Sequence, residues 1–574
     1  MKFLKPESVK TPWTPFLNGI PAQLDYFDGS MCEAVERIAM KNPELIAYDF
    51  MGTDTTYRQA VSAIHECARA LRAIGVKRGD RVTIAMPNCP QAVSMFYAVN
   101  MVGAVANMIH PLSAEGEIEF YLNDSKSVAA LTLDQFYGKF ANIRKNVPQL
   151  KTLVIASIKD ALSGVMKIGY ALTQGRKIAK LPDDGQHICW KDFLAQGKSF
   201  TGDPRVKRAC TEGAVILYSG GTTGTTKGIL LSDLNFTALG AQIIATNPIF
   251  VPGDKMLSIM PMFHGFGLGV SIHSMLVNGG HCVLVPRFTP KTYAELLAKH
   301  RPNFIAGVPT LYEALLRLPG LEKLDLSCLK GMFSGGDSLP VELKKRIDNF
   351  LIEHKATIEV LEGYGTTECV TASCLTPRGN SREGSIGIPF PDTYYKIVEP
   401  GTEREVPYGA EGEICLAGPT VMLEYVNHPQ ETADTLRRHA DGLTWVHTGD
   451  LGTMDEDGFI YFRQRIKRMI VTSGYNVYPS QLENLLDAHE CVHMSCVIGV
   501  KDPYKMQKVK AFIVLKPGFE KNDATREKIM DYCRKNIAKY AMPYEIEFRD
   551  ELPKTLVGKV AYRILEEEEA RKAA

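Results

Sequence analysis

The chain has 574 residues, and its 66 Lys and Arg residues nearly balance its 65 Asp and Glu residues. Because this length exceeds what a single hydrophobic core supports, two or more domains are expected. The hydrophobic share of 45% is ordinary for a soluble globular protein, and the balanced charge offers no electrostatic footprint for nucleic acid. Thirteen cysteines without a CxxC pair favour reduced, buried thiols and a cytosolic location over a disulfide framework or a zinc site.

Short apolar β-rich runs alternate with helical patterns, which predicts an α/β fold with largely parallel sheets. The runs lie at residues 81–86, 129–132, 152–155, 255–259, 281–285 and 304–306. Residues 92–112 carry no charge but include Asn100, Gly103 and His110, so we expect a buried helix followed by a strand rather than a membrane span. Residues 1–6 lack the apolar stretch of a secretion signal.

Residues 158–180 combine several lysines and an arginine with apolar residues at helical spacing. The apolar set is Leu162, Val165, Met166 and Leu172. A basic amphipathic helix of this kind is typical of contact with a membrane surface, and its alternative is an ordinary solvated surface helix. We therefore expect a cytoplasmic protein with peripheral membrane contact through this segment.

The second half of the chain changes character twice. The turn and strand pattern of residues 407–414 predicts a β-rich subdomain after the α/β body. A new α+β pattern begins near Lys467. We therefore expect a large N-terminal domain at residues 1–466, made of mixed and parallel sheets with helices plus this subdomain, and a small α+β domain at residues 467–574.

Residues 218–228 read Tyr-Ser-Gly-Gly-Thr-Thr-Gly-Thr-Thr-Lys-Gly, a pattern typical of a loop that holds polyphosphate. Glycines let backbone N–H groups approach phosphate oxygens, threonine hydroxyls donate hydrogen bonds, and Lys227 supplies a positive charge. The apolar run at 214–218 predicts a buried strand leading into the loop, which disfavours a flexible linker. The loop is not a Walker A motif, because Thr226 precedes Lys227 and Gly228 follows it.

The loop resembles that of the adenylate-forming superfamily, which includes acyl-CoA synthetases, aryl-CoA ligases, beetle luciferases and peptide-synthetase adenylation domains. Five further stretches resemble superfamily motifs in the expected order, at residues 260–269, 334–338, 362–368, 445–450 and 552–560. By resemblance the loop closes over the β- and γ-phosphates of ATP, and Thr222 and Lys227 also serve catalysis. The implied ATP contacts here are Ser219, Gly220, Gly221, Thr222, Thr223, Gly224, Thr225 and Lys227.

Two of these stretches imply the acyl pocket. His264 stands between an aromatic residue and glycines, and by resemblance it is catalytic and borders the adenylate carboxyl, the alternative being a satisfied core histidine. The turn at 334–338 follows an apparent strand, where α/β sites form; its Asp337 stands where family members often carry Ala. The implied acyl pocket comprises His264, Gly265, Phe266, Gly336 and Gly363, and the turn contributes Gly335, Gly336 and Asp337 to the nucleotide site.

Residues 362–368 carry the most explicit chemistry. Tyr364 offers a flat ring on which adenine can stack, and Glu368 offers a hard oxygen to Mg²⁺. The hydroxyls of Thr366 and Thr367 can hydrogen-bond the α-phosphate. The other members of this stretch assigned to the nucleotide site are Glu362, Gly363 and Gly365.

Three residues near the predicted domain boundary, and one near the chain end, complete the expected machinery. By resemblance Asp450 accepts hydrogen bonds from both ribose hydroxyls, Arg465 lies beside it, and Lys467 is the hinge of a mobile C-terminal domain. A structural salt bridge is the alternative for Arg465. Lys559 matches the family's C-terminal lysine, a cation that offsets charge as the substrate carboxylate attacks phosphorus.

The resemblance assigns CoA contacts to Ser473, Gly474 and Tyr475, which the rotating domain would bring to the site as it carries Lys559 out. This region departs from the family pattern in two places. Gln481 stands where an acid is usual, and residues 502–507 lack the Gly-Glu pair often seen before the following strand.

These residues predict an ATP-dependent acyl-CoA synthetase that uses Mg²⁺, ATP, CoA and a small-molecule carboxylic acid. A medium- or long-chain fatty acid is expected, because a similar basic, apolar insertion occurs in bacterial long-chain fatty acyl-CoA synthetases; aryl and bile acids remain open. Three alternatives belong to other classes. A luciferase-like oxidase would share the adenylation residues, a non-catalytic acyl or nucleotide sensor would have lost Glu368 or Lys559, and a peptide-synthetase module would continue into a carrier domain beyond Ala574.

Overall fold

The structure is a computed structural model that describes residues 1–3, 5–162, 164–172, 181–183, 185, 187–219, 226–472, 475–502, 504–555 and 559–573. The helices are α1 (Met31–Lys41), α2 (Tyr57–Ala73), α3 (Pro90–Met101), α4 (Glu115–Ser125), α5 (Tyr137–Ile143), α6 (Gly164–Leu172), α7 (Trp190–Gln196), α8 (Asp233–Ala245), α9 (Ser274–Leu276), α10 (Pro290–His300), α11 (Pro309–Leu316), α12 (Val341–Glu353), α13 (Pro429–Thr435), α14 (Pro479–Asp487), α15 (Asp523–Asn536) and α16 (Tyr562–Ala573).

The strands are β1 (Ile46–Phe50), β2 (Thr53–Thr56), β3 (Arg81–Ala85), β4 (Val105–Met108), β5 (Ala129–Leu133), β6 (Thr152–Ala156), β7 (Ile188–Cys189), β8 (Gly213–Ser219), β9 (Lys227–Ser232), β10 (Lys255–Ser258), β11 (His281–Leu284), β12 (Phe304–Gly307), β13 (Gly331–Ser334), β14 (Val360–Tyr364), β15 (Cys374–Leu375), β16 (Ile388–Pro389), β17 (Tyr394–Val398), β18 (Gly412–Ala417), β19 (Glu424–Tyr425), β20 (Leu436–Arg438), β21 (Thr444–Met454), β22 (Ile460–Arg465), β23 (Ile470–Thr472), β24 (Tyr475–Val477), β25 (Val492–Asp502), β26 (Met506–Leu515) and β27 (Glu545–Arg549).

Two large sheets form the α/β body. One has the order β19-β9-β8-β4-β3-β5-β6-β7 and the other the order β16-β15-β14-β13-β12-β10-β11-β1-β2. In the first, the strands from β8 through β4, β3 and β5 to β6 and β7 pair in parallel. In the second, the strands from β1 through β11, β10, β12 and β13 to β14 are parallel. The expected α/β class with largely parallel sheets is confirmed.

Helix α3 shows why an uncharged stretch need not cross a membrane. Every residue from Gln91 to Met101 is buried, and strand β4 follows directly with all four of its residues buried. The predicted buried helix and strand are confirmed. No helix among the described residues is both long and apolar enough to span a bilayer.

Two smaller antiparallel-rich sheets lie in the second half of the chain. One orders its strands β17-β18-β21-β20, with β22 paired to β21, and this is the expected β-rich subdomain. The other orders β24-β23-β26-β25, with β27 paired to β26. Its residues form a separate hydrophobic cluster between Ile470 and Ile546, so a small α+β C-terminal domain follows the large N-terminal one.

The segment at residues 158–180 differs in part from the expected amphipathic helix. Helix α6 begins only at Gly164, and Ile158 and Leu162 are buried in the main hydrophobic core. Leu162 is thus not part of an exposed apolar stripe, because the short 3-10 turn at Ile158–Ala161 directs it inward. Met166 is 45% exposed, whereas residues 173–180 lie outside the described part of the chain.

All thirteen cysteines are free thiols, as the sequence predicts. Cys189 is exposed and Cys328 is half-buried, and the other thiols are buried. Burial raises the pKa of Cys67 and keeps it a neutral thiol at physiological pH.

Candidate functional site

The carboxyl end of β14 faces the hairpin of β21 and β22, and three predicted nucleotide residues meet there. The Tyr364 hydroxyl donates a hydrogen bond of 2.6 Å to Asp450 Oδ2. Arg465 is the cross-strand partner of Asp450, and its Nε lies 3.2 Å from Asp450 Oδ1. The antiparallel register therefore places an aromatic ring, a carboxylate and a guanidinium side by side.

One oxygen of the buried Asp450 carboxylate lacks a hydrogen-bond donor among the described residues. It is 1% exposed, and its Oδ1 makes no hydrogen bond of good geometry with any described residue, although Arg465 is close enough for an ion pair. Burial raises the pKa of Asp450, while Arg465 and the Tyr364 hydroxyl oppose that shift. A buried oxygen without a donor is unfavourable, so a ligand hydroxyl placed here would satisfy it.

A second group of side chains connects Glu368, the predicted metal ligand, to Lys227 at the end of the predicted phosphate loop (residues 219–227). The Tyr425 hydroxyl donates a hydrogen bond of 2.7 Å to Glu368 Oε1. The Lys227 ammonium lies 5.0 Å from the centre of the Tyr425 ring and 3.8 Å from Glu431 Oε1. Tyr425 was not identified from the sequence, because it lies on the two-residue strand β19 that pairs with β9 only in the folded protein.

Strand pairing also fixes where the phosphate loop emerges. Ser219 ends β8 and is the cross-strand partner of Lys227 in β9. The loop between them contains Gly220, Gly221, Thr222, Thr223, Gly224 and Thr225, which lie outside the described residues. Both ends of the loop are therefore located, and the ammonium of Lys227 stands on the side of Tyr425 and Glu368.

The backbone is strained and tightly packed beside Glu368. Val370 adopts φ 68° and ψ −57°, and the Thr371 N–H donates to the Cys369 carbonyl, so Val370 is the centre of a strained γ-turn. A Cβ at Gly265 would lie 1.8 Å from the Val370 carbonyl oxygen. Only glycine at 265 allows this approach, which brings the histidine motif against the Glu368 segment.

Lys559 reaches the site from the C-terminal domain. A Cβ built on Gly336 would lie 3.7 Å from Lys559 Cε, so the lysine side chain extends over the Gly335-Gly336 turn. Burial lowers the pKa of Lys559, and the nearby Asp337 carboxylate opposes this effect. Its backbone N–H donates to Thr555 Oγ1 at 3.1 Å, so the two described ends of this segment are hydrogen-bonded to each other.

His264 lies near the same lysine. Burial, reinforced by the charge of Lys559, lowers the pKa of His264 to about 4, so the ring is neutral at physiological pH. Its Nδ1 accepts a hydrogen bond of 3.2 Å from the Phe266 N–H. The ring proton therefore resides on Nε2, which can donate to a ligand oxygen.

Glu362 holds the 334–338 turn in place. Its Oε1 accepts a hydrogen bond of 3.1 Å from the Leu339 N–H, and burial raises the pKa of this carboxyl to about 7.

Thr366 is buried, and its N–H donates to Cys369 Sγ at 3.3 Å. Thr367 begins the 3-10 turn that carries Glu368. A Cβ at Gly365 would lie 2.2 Å from the Thr371 carbonyl oxygen, so this glycine permits close packing.

An apolar cavity opens beside these residues. Its empty space, part of which is open to solvent, amounts to about 730 Å³. Its near end includes Phe266, Gly335, Gly336, Gly363 and Tyr364. Its far part includes Ile243, Phe250, Met256, Phe304 and Phe333, none of which any sequence motif identified.

The remaining predicted positions belong to the C-terminal part. Lys467 lies in the 3-10 turn Ile466–Arg468 between β22 and β23, and its side chain is outside the described atoms. Ser473 and Gly474 also lie outside the described residues, and Tyr475 begins β24. The turn at Lys467 thus joins the β-rich sheet to the C-terminal sheet.

Comparison with known proteins agrees with this arrangement. The family model of the AMP-binding enzymes matches residues 35–426, and the model of the AMP-binding enzyme C-terminal domain matches residues 481–559. A long-chain-fatty-acid–CoA ligase of Bacillus subtilis (strain 168) is 36% identical across 97% of this chain and 98% of the relative.

Two further matches extend over nearly the whole chain. A long-chain-fatty-acid–CoA ligase of Salmonella typhimurium is 32% identical across 94% of both proteins. The ATP-bound structure of MatB from Rhodopseudomonas palustris is 26% identical, with a TM-score of 0.80 over 94% of this chain and 98% of that one. The chain therefore belongs to the AMP-binding enzyme family.

Proposed function

We propose that this chain activates a medium- or long-chain fatty acid with ATP and transfers the acyl group to CoA. As an acid–thiol ligase it uses ATP, CoA and a carboxylic acid as substrates. The observation that carries the choice of acid is the apolar cavity, which begins at Gly336 and Tyr364 and is lined farther in mainly by aliphatic and aromatic side chains. The relatives of Bacillus subtilis and Salmonella typhimurium, both named long-chain-fatty-acid–CoA ligases, support this choice.

In the first half-reaction the acid's carboxylate attacks the α-phosphorus of ATP, and the bond to pyrophosphate breaks. No protein nucleophile is required, so the protein contributes positioning and charge stabilisation. Lys559 and the Nε2–H of His264 would face the reacting carboxylate and α-phosphate oxygens. The phosphate loop and Lys227 would hold the β- and γ-phosphates.

The nucleoside would bind at the carboxyl end of β14. Adenine would stack on Tyr364, and the ribose hydroxyls would donate to Asp450, whose Oδ1 accepts no hydrogen bond of good geometry from the described residues. Binding would also exchange the hydrogen bond that Tyr364 now donates to Asp450. Arg465 opposes the rise in the pKa of Asp450 that burial causes.

Mg²⁺ fits this site through Glu368, whose carboxylate is half-buried and fixed on one oxygen by the Tyr425 hydroxyl. When bound, the metal would neutralise phosphate charge as pyrophosphate leaves. Tyr425 would orient the carboxylate, and Lys227, whose ammonium lies beside the Tyr425 ring, would approach the same phosphates.

In the second half-reaction the CoA thiol attacks the acyl carbonyl and AMP leaves. We propose that residues 467–574 form the rotating unit, with Lys467 as the hinge and with Ser473, Gly474 and Tyr475 near CoA. Rotation would remove Lys559 from Gly336 and open the site to the thiol, a hinge-type change.

The test is a screen of carboxylic acids by AMP release and by trapping of the adenylate with hydroxylamine, with and without CoA. Saturated acids of rising chain length, benzoate and a bile acid would be compared at equal concentration. Highest kcat/KM for a medium or long alkanoic acid supports the proposal. Highest kcat/KM for benzoate or the bile acid would refute it and favour an aryl- or bile-acid–CoA ligase, a candidate that the aromatic cavity residues Phe250, Phe304 and Phe333 also accommodate.

We further propose that α6 contacts an anionic membrane surface and collects acids that partition there. The described part of this segment exposes Met166 beside Lys167. A lysine near an anionic surface contributes about 1 kcal/mol of attraction. The burial of Leu162 restricts the apolar contact to residues that follow it.

A further inference from the structure

Two polar side chains that hydrogen-bond to each other, Asn247 and Arg378, lie beside the far part of the largely apolar cavity. Asn247 lines the cavity just beyond the end of α8 and is 3% exposed. Its Oδ1 accepts a hydrogen bond of 2.9 Å from Arg378 Nη2, and its Nδ2 donates to the Ile243 carbonyl at 2.8 Å. An apolar chain end could form no hydrogen bond with these groups, so they fit a ligand that has a polar far end.

The guanidinium of Arg378 lies on the cavity side of the nine-stranded sheet. A Cβ built on Gly331 would lie 2.8 Å from both Phe304 Cδ1 and Phe333 Cζ and 3.1 Å from Arg378 Nη2. Phe304 and Phe333 line the cavity, so the Arg378 guanidinium adjoins the same two rings. Arg378 follows three residues after Leu375, which also lines the cavity.

Arg378 has donor capacity that the described residues do not use. Its Nε is buried and has no hydrogen-bond partner among them, and no carboxylate of the described chain lies within ion-pair distance of it. Burial lowers the pKa of this guanidinium, and only the more remote Glu359 opposes the effect. Because the buried Nε of this half-buried cation lacks an acceptor, an acceptor brought by a ligand would be bound favourably.

The position of the pair defines the length of acid that would reach it. Gly331, near which Arg378 Nη2 lies, begins β13 and Gly335 follows its end, so four residues of this strand separate the Arg378 guanidinium from the Gly335-Gly336 turn. At about 3.3 Å per residue the strand advances about 13 Å over that distance. An extended alkyl chain with C–C bonds of about 1.5 Å advances about 1.25 Å per carbon, so an acid of about ten carbons would span from the Gly335-Gly336 turn to the Arg378 guanidinium.

We propose that the cavity selects a carboxylic acid of about this length that carries a hydrogen-bond-accepting oxygen at its far end, held by Arg378 and Asn247. This inference rests on the proposed function and specifies its substrate class. In the complex, the distal oxygen would accept a hydrogen bond from the Arg378 guanidinium, either from Nε or in exchange for the bond that Nη2 now donates to Asn247. A site built to bind such an oxygen discriminates strongly against the analogue that lacks it, since its polar groups then stay unpaired.

The test compares decanoic, ω-hydroxydecanoic and decanedioic acids by kcat/KM for adenylate formation in the full-length protein. We expect wild type to prefer at least one oxygenated acid over decanoic acid by tenfold or more, and Arg378→Met to remove that preference by raising the use of decanoic acid relative to both. The hydroxy and dicarboxylic acids distinguish a neutral acceptor from a second carboxylate. Equal or better use of decanoic acid by wild type would overturn the inference.

Two further variants test whether the preference depends on the Arg378–Asn247 pair or on the general shape of the cavity. Asn247→Asp keeps the shape of the side chain but provides Arg378 with a counter-charge, so the preference should again fall at least tenfold. Thr246→Val is the matched control, because the Thr246 hydroxyl lines the cavity yet already donates to the Gln242 and Ile243 carbonyls; it should leave the preference unchanged. If both Arg378→Met and Asn247→Asp keep the wild-type preference, the pair does not recognise the acid. Absence of adenylate with every acid would instead contradict the proposed function.

Discussion

Replacing Lys559 with alanine separates the two half-reactions most sharply. The lysine extends over Gly336 and is half-buried, so its charge acts in a medium of effective dielectric constant about 20 rather than 80. At about 4 Å from a phosphate oxygen, a unit charge then contributes about 4 kcal/mol. With 1.36 kcal/mol per decade, adenylation should fall by about a thousandfold.

The assay measures pyrophosphate release for adenylation and, separately, thioester formation from acyl-adenylate supplied in advance. We predict a loss of two to three orders of magnitude in the first, in keeping with removal of one transition-state donor, and little change in the second. Lys554→Ala is the control, since Lys554 lies in the same loop but is exposed. Equal losses in both half-reactions, or less than a tenfold loss in adenylation, would refute the assignment.

The pH profile gives the same residue a second test. The charged form of Lys559 is the active one, so adenylation should be lost as pH rises through its pKa. Because burial lowers that pKa, the alkaline decline should begin at lower pH than for an ordinary lysine. In Lys559→Arg the decline should move to higher pH, since arginine remains charged; an unmoved decline would assign it to another group.

Three further predictions concern the metal, the 334–338 turn and the membrane. Glu368→Gln should raise the Mg²⁺ concentration needed for half-maximal adenylation, because one carboxylate ligand is removed; an unchanged titration would exclude Glu368 from the metal site. Burial raises the pKa of the Glu362 carboxyl from 4.5 to about 7, so the folded state binds this proton more tightly than the unfolded state does. The free energy of unfolding should therefore fall by on the order of 3 kcal/mol as pH rises from 4.5 to 7. Urea unfolding should therefore show a steeper loss of stability over this interval in wild type than in Glu362→Gln, and parallel curves would contradict the shift. Sedimentation with anionic vesicles should weaken with salt and in a variant with five cations changed to glutamine, and equal sedimentation of the two proteins would refute the membrane role. The five cations are Lys159, Lys167, Arg176, Lys177 and Lys180.

The sequence predicts those parts of the fold whose reasons are local. Apolar runs predicted β3, β5, β6 and β10 to within about a residue at their ends, because a buried parallel strand needs a continuous apolar stretch. The absence of charge in α3 indicated its burial. Resemblance to family motifs also identified Tyr364 and Asp450, which hydrogen-bond in the folded protein.

Contacts made by tertiary packing left no such pattern. Tyr425 approaches Glu368 across 57 positions of sequence, and Arg378 approaches Asn247 across 131, so neither pair has a characteristic spacing. Leu162 fits the apolar stripe of an amphipathic helix, but the turn at Ile158–Ala161 places it in the core. Periodicity indicates which residues share a face and does not indicate what covers that face.

The distribution of thiols makes site-specific labelling possible without a cysteine-free background. Cys189 is the one thiol classed as exposed, and it ends β7 at the edge of the eight-stranded sheet. Lys159 and Asp160 are close enough to influence its pKa, so a fluorophore attached there would sit beside the start of the basic segment. Quenching by labelled lipid would then report the distance between this edge and a vesicle, and Cys189→Ser would show how much label the half-buried Cys328 takes up.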